Sequence, residues 1–177
     1  YSSSISVFFL QVPVPDLSET DLLSTWFESA ISFIEEGLVQ RGKVLIHCYH
    51  GVSRSATILA AYLLKIGLQF KQDDSQKISN TSHVQEVLDF IKSRRPSICP
   101  NDGFIAQLNM WYAMGCRLNP LFKPYKIYQL DCIYHQMKNT KMIPPSVKSF
   151  FQVNIVPLYV PEHSIQVSYL YSLVSIT

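Results

Sequence analysis

Charge is scarce in this chain. Asp, Glu, Lys and Arg make up 16% of its 177 residues, low for a domain that keeps its surface in water. The net charge of +2 gives the whole chain no strong pull toward nucleic acid or an acidic membrane face. The four cysteines, Cys48, Cys99, Cys116 and Cys132, form no CxxC pair, which argues against a zinc ribbon and a dithiol redox motif. They are also too few and too scattered for a disulfide framework, and no secretory signal heads the sequence. A reducing compartment follows, cytoplasmic or nuclear, where a reactive thiol survives. Long apolar runs are missing too. The stretch 55–68 is too short to span a membrane, and Pro157, Pro161 and Glu162 interrupt the apolar tail. Internal repeats are absent. What is plentiful is apolar surface, 47% of residues, enough to bury a sizeable core in one domain.

The pattern along the chain predicts α/β architecture. A strand-like run, VFFLQVPV, ends at Pro15 and Asp16. Ser18 and Asp21 have capping-box spacing, ahead of a helix with Leu22, Leu23, Trp26, Phe27, Ala30, Ile31, Ile34 and Leu38 at 3.6-residue spacing and a stop at Gly42. KVLIH, residues 43–47, suits a fully buried strand. A helix from about Arg54 to Lys65, stopped by Gly67, follows. Strand, helix and strand in this order predict a right-handed crossover joining a parallel pair. Residues 71–83 read as a polar loop. Helices are expected at Val84–Arg95, from an Asn101 N-cap to about Gly115, and at Tyr125–Met137. From Pro144 onward no period is clear.

HCYHGVSRS, His47 to Ser55, lies between the second strand and its helix. Amides of such a loop turn inward as a nest, and the helix N-terminus adds positive potential. Gly51 lets backbone approach a ligand, and Arg54 offers a two-pronged fork to a tetrahedral dianion. The same field acts on Cys48. An ordinary thiol of pKa about 8.5 is only about 3% thiolate at pH 7; helix N-termini and cations bring thiols into the range where thiolate dominates. The loop therefore predicts phosphate binding and attack by Cys48, giving a phosphocysteine. Tyr49, His50, Gly51, Val52 and Ser53 would line the phosphate loop with Arg54, Ser55 would donate to the thiolate, and His47 would brace the loop by hydrogen bonds. A leaving oxygen needs a proton. Asp16 follows the first strand as Cys48 follows the second, and parallel strands open onto one edge, so Asp16 is the expected acid. Asp21 is its rival, explained without chemistry as a cap.

Other polar residues have plainer readings. Asn101 is a cap. Arg94 and Arg95 form a solvated helix end. His83, His135 and His163 have no partners at metal-ligand spacing, and Cys99, Cys116 and Cys132 read as buried or incidental thiols.

Cys48, five intervening residues, Arg54 and Ser55, with His47 in front, resemble the HCxxGxxRS signature of the cysteine-dependent protein tyrosine phosphatases. HCYHGVSRS is similar to the dual-specificity branch. Asp16 stands 32 positions before Cys48, as that branch spaces its acid loop, and RRPSICPNDGFIAQL resembles its closing segment. The resemblance implies a protein tyrosine phosphatase-like fold, a central mostly parallel sheet flanked by helices, and metal-free hydrolysis of phosphotyrosine and phosphoserine or phosphothreonine in phosphoprotein substrates. SETDLLSTWFESAISFIEEG, NMWYAMGC and YKIYQL further resemble a subgroup with a separate zinc-binding domain and a link to ribosome maturation. That likeness implies pre-ribosomal association, and the alternative function is a non-catalytic binding module in ribosome maturation, or an inactive fragment. The expected division is a catalytic domain over 1–118, an extension over 119–152 and an atypical apolar tail over 153–177. The family's initial strands have no counterpart ahead of residue 1, and 71–83 reads as an insertion. Phosphoinositide-directed relatives place lysines in the loop and RNA-directed ones an aromatic–asparagine pair; YHGVS has neither.

Overall fold

The computed structural model describes residues 7–70, 82–140 and 165–170, with side chains for 7–67 and 82–138. In chain order they form β1 (Val7–Val12), α1 (Phe27–Val39), β2 (Lys43–His47), α2 (Arg54–Phe70), α3 (His83–Arg94), α4 (Asp102–Ala113), α5 (Lys123–Thr140) and β3 (Ile165–Leu170).

α2 is the axis of the molecule. Its Ala56, Ile58, Ala60, Ala61 and Leu64 are buried, and it packs on α1, α3, α4 and β2. The small alanines let the neighbours approach closely. α1 brings Phe27, Ala30, Ile31 and Ile34 to this core, α3 brings Val84, Leu88 and Ile91, and α4 brings Phe104, Leu108 and Trp111. Trp111 ties three helices. Its ring meets Phe27 edge-on at 5.6 Å, and its indole N–H donates to the Ala61 carbonyl at 3.2 Å. Such an anchor suits tryptophan, whose one polar atom needs a partner once buried.

Two helices depart from their expected bounds. α1 starts at Phe27, not beside Ser18. The side-chain oxygen of Gln107 accepts from both Leu22 and Leu23 amides at 2.9 Å. Asp21 Oδ1 accepts from the Ser24 amide at 2.9 Å. These bonds hold the chain before α1 out of helix, with turns at 18–19 and 23–26, so the expected capping box does not form. At its other end the left-handed residue is Arg41, φ 57°. Gly42 N–H reaches the Gly37 carbonyl and Arg41 N–H the Leu38 carbonyl, both at 2.9 Å, the paired bonds of a Schellman ending. α2 runs through Gly67 to Phe70. α4 ends as expected, on a left-handed Gly115, and Asn101 caps its start by accepting from the Phe104 amide at 2.9 Å.

The sheet corrects the expected pairing. β1 and β2 run in the same direction, but they are not neighbours: β3 lies between them, antiparallel to both, in the order β1-β3-β2. Leu10 and Ile46 both face Val167 across the ladder; Val12 pairs with Ile165 and His47 with Gln166. The described sheet is thus antiparallel in its pairings, and its central strand comes from the tail that had no clear period. The consequence expected of a parallel pair survives, because the carboxyl ends of β1 and β2 still open onto one edge.

α5, in the expected extension, packs back on the domain. Tyr125 is buried and the Tyr128 hydroxyl donates to Asp21 Oδ1 at 2.9 Å. The expected insertion at 71–83 lies mostly outside the described residues; Ser82 and His83 begin α3. Among the described residues no helix is long and apolar enough to cross a membrane.

Candidate active site

Cys48 is the first residue after β2, and Arg54 the first of α2. The intervening loop bends through Gly51, whose φ of +65° is a conformation glycine adopts without strain. The loop goes from open to closed along its length. Tyr49 and His50 are exposed, with their rings edge-to-face at 4.6 Å. Gly51 and Val52 are half-buried, and Ser53, Arg54 and Ser55 are buried.

The Cys48 sulfur lies 3.3 Å from the Ser55 hydroxyl. Burial is the largest single influence on this thiol and pushes its pKa up. Hydrogen bonds from the Ser55 hydroxyl and from the Ser55, Gly51 and Val52 amides together outweigh it, leaving Cys48 below the ordinary thiol value. Amide donors converging on one sulfur favour its anion. Two other thiols contrast with it. Burial pushes Cys116 up to about 12 and Cys132 to about 11. Position under the loop amides, rather than residue type, sets Cys48 apart from these two.

Arg54 is 5% exposed and is aimed by the segment after β1. Its Nη1 donates to the Val14 carbonyl at 3.1 Å, and its Nε lies 3.6 Å from Asp16 Oδ2. Asp16 stands at the rim. Its Oδ1 accepts from the Ser53 hydroxyl at 2.7 Å and from Asn101 Nδ2 at 3.0 Å. The fold therefore brings Asp16, Ser53 and Arg54 together, as the strand-edge reasoning expected. His47 ends β2 exposed to solvent. The bracing bonds expected of its side chain are not found among the described residues; other groups brace the loop.

Those groups come from the α3–α4 connection and from α2. Arg95 Nε donates to the Gly51 carbonyl at 3.0 Å, and its Nη2 to the His50 carbonyl at 3.4 Å. The Cys99 amide donates to the Val52 carbonyl at 2.9 Å. Thr57 donates to the Ser53 carbonyl through both its amide and hydroxyl, each at 2.9 Å. Arg95 is exposed at the end of α3, as read from sequence, and is a loop contact as well; Asn101 is both cap and Asp16 partner.

Gln107 was missed outright. Buried at 2% exposure, it accepts from Leu22 and Leu23 and donates to the Thr20 carbonyl at 2.7 Å, fixing the segment that follows Asp16. A signal for it existed: Gln107 falls on the inward face of α4 between Phe104 and Trp111, and a polar residue at such a phase must find partners. Asp21, the rival acid, is engaged by Ser24 and Tyr128.

A buried cysteine under converging donors at a strand end, an arginine at the following helix start and a carboxylate on the rim make up the candidate site. A family model described as "Dual specificity phosphatase, catalytic domain" matches residues 3–114, and the chain belongs to that family. It is similar to dual specificity protein phosphatase MPK-4 of Drosophila melanogaster, 32% identical over 138 residues, covering 78% of this chain and 32% of the relative. It is also similar to tyrosine-protein phosphatase yvh1 of Schizosaccharomyces pombe, 33% identical over 117 residues, 66% of this chain and 31% of the relative. The chain thus spans about a third of the length of these relatives. Among solved structures it is similar to the Yvh1 phosphatase domain from Chaetomium thermophilum, with 35% identity and a TM-score of 0.50 over 60% of this chain and 66% of that one. The α/β, protein tyrosine phosphatase-like fold is common to both.

Proposed function

We propose that this chain is the catalytic part of a protein phosphatase that hydrolyses phosphotyrosine and phosphoserine or phosphothreonine through a phosphocysteine. The observation that carries the reading is the Cys48 sulfur under converging donors, with Arg54 and Asp16 beside the same loop.

In the first step the Cys48 thiolate attacks phosphorus. The S–P bond forms as the ester P–O bond breaks, and Asp16 gives its proton to the departing oxygen. In the second step Asp16 takes a proton from water, the water oxygen bonds to phosphorus, and the S–P bond breaks. Inorganic phosphate leaves, and the returning thiolate is met by the Ser55 hydroxyl and the loop amides. Arg54 and the amides of residues 49–53 hold the phosphoryl oxygens, and the guanidinium matches their charge in both steps. Substrate breadth would follow from a shallow cradle, open to short and long phosphoresidues alike; Tyr49 of the loop is 77% exposed. Phosphoproteins are the partners this chemistry requires.

Cys48→Ser should lower hydrolysis of a small aryl phosphate by roughly a thousandfold or more, because an alcohol is no ready anion under these donors. Acid-quenched wild-type protein should carry phosphate on the Cys48 peptide in mass spectra. Near-normal turnover by the serine variant would rule out the phosphocysteine route.

A further inference from the structure

We infer that Arg95 is a positioning residue for the nucleophile, holding two peptide units of the loop with their N–H groups turned onto Cys48. This rests on the proposed role of Cys48.

The argument is a matter of which atoms share a peptide. The His50 carbonyl and the Gly51 amide belong to one planar unit, and the Gly51 carbonyl and the Val52 amide to the next. The amides of Gly51 and Val52 are two of the donors acting on Cys48. The carbonyls at the opposite ends of those same two units are the ones that receive Arg95, at 3.4 and 3.0 Å. A peptide plane with a cation on its oxygen is held against rotation. Its N–H is also polarised, making it a better donor to sulfur or to a phosphoryl oxygen.

The seat of Arg95 is well defined. Its amide closes α3 on the Ile91 carbonyl at 2.9 Å, Pro96 stops the helix, and a turn returns Ile98 N–H to the Arg95 carbonyl at 3.2 Å. Ile98 is buried, and the next amide, that of Cys99, bonds to Val52. Gly51 is shaped for this contact. A Cβ there would lie 2.7 Å from Arg95 Nη2, so Gly51 both supplies the positive φ and leaves room for the guanidinium.

Among the described residues, the other charged or titratable groups around the cradle are Tyr49, His50 and Arg54 of the loop, His47 at the end of β2, Asp16 after β1 and the Cys99 thiol of the α3–α4 connection. Arg54 approaches from the helix side and Asp16 from the rim, whereas Arg95 acts through the outer carbonyls. Its contribution is therefore separable from theirs.

The test is the pH profile of Cys48 alkylation by iodoacetamide, read by peptide mass so that exposed Cys99 does not interfere. Wild-type protein should show a midpoint below that of an ordinary thiol. Arg95→Ala should raise it by about half a pKa unit or more, roughly a threefold rise in proton affinity. Arg95→Gln, neutral and of similar length, should act likewise and covers the case in which the alanine variant does not fold; circular dichroism establishes which variants are folded. An unchanged midpoint in either folded variant overturns the inference about Arg95. A wild-type midpoint at the ordinary thiol value would instead overturn the nucleophile role itself, so the two failures are distinguishable.

Discussion

Asp16 shows how one side chain is prepared for two demands. As a rim carboxylate, 35% exposed, it stays in reach of water and of a leaving oxygen. As a partner of Ser53, Asn101 and Arg54, it is held beside the proposed phosphate loop. Proton donation matters only when the leaving oxygen is basic. Asp16→Asn should therefore slow an alkyl phosphate, or an aryl phosphate with a poorly acidic phenol, by roughly 100-fold or more. A nitrophenyl ester, whose oxygen departs readily as an anion, should lose much less. Equal losses on the two substrates, measured as kcat/KM, would move the acid role to another group. Ser53→Ala and Asn101→Ala offer no such contrast in chemistry, because each loosens the carboxylate without removing its proton.

At the scale of elements, the legibility of the sequence divides by distance along the chain. The loop could be read because its nucleophile, its glycine and its arginine lie within seven consecutive residues, Cys48 to Arg54, so one strand end and one helix start assemble them. Arg95 and Gln107 could not be placed that way. Their partners lie 44 and 85 positions distant, and only the packed fold brings them in. The same holds for the start of α1, where Gln107 overrides a local capping signal. Gly67 is the opposite case, a local signal that the helix ignores. It sits inside α2, and a Cβ there would meet nothing within 4 Å. Glycine costs about 1 kcal/mol relative to alanine within a helix, so Gly67→Ala should stabilise the protein by about 0.5–1 kcal/mol in denaturant melts. A loss of stability would mean that the helix ends at Gly67, as its sequence suggested.

For the whole molecule, the order β1-β3-β2 makes the last described strand the link between the two halves of the site. β3 begins at the cradle end of the sheet, where Ile165 pairs with Val12 and Gln166 with His47. Asp16 follows Val12 by four residues, and Cys48 follows His47 directly. The strand thus spaces the acid segment from the nucleophile loop, and sequence reasoning missed it because these pairings span more than a hundred residues. β1 remains at an edge, with Phe8 45% and Phe9 61% exposed, so β3 is its one neighbour in the described sheet. A central strand bonded on both sides does not accept proline, which lacks the amide donor. Val167, paired with both Leu10 and Ile46, is the most telling position. Val167→Pro should cost at least about 2 kcal/mol in denaturant melts and lower aryl phosphate turnover with it. A chain ending at residue 152, which lacks β3 altogether, should lose at least as much. If both variants melt and turn over as the full chain does, β3 does not hold the centre of the sheet, and α2 with its flanking helices positions Asp16 and Cys48 without it.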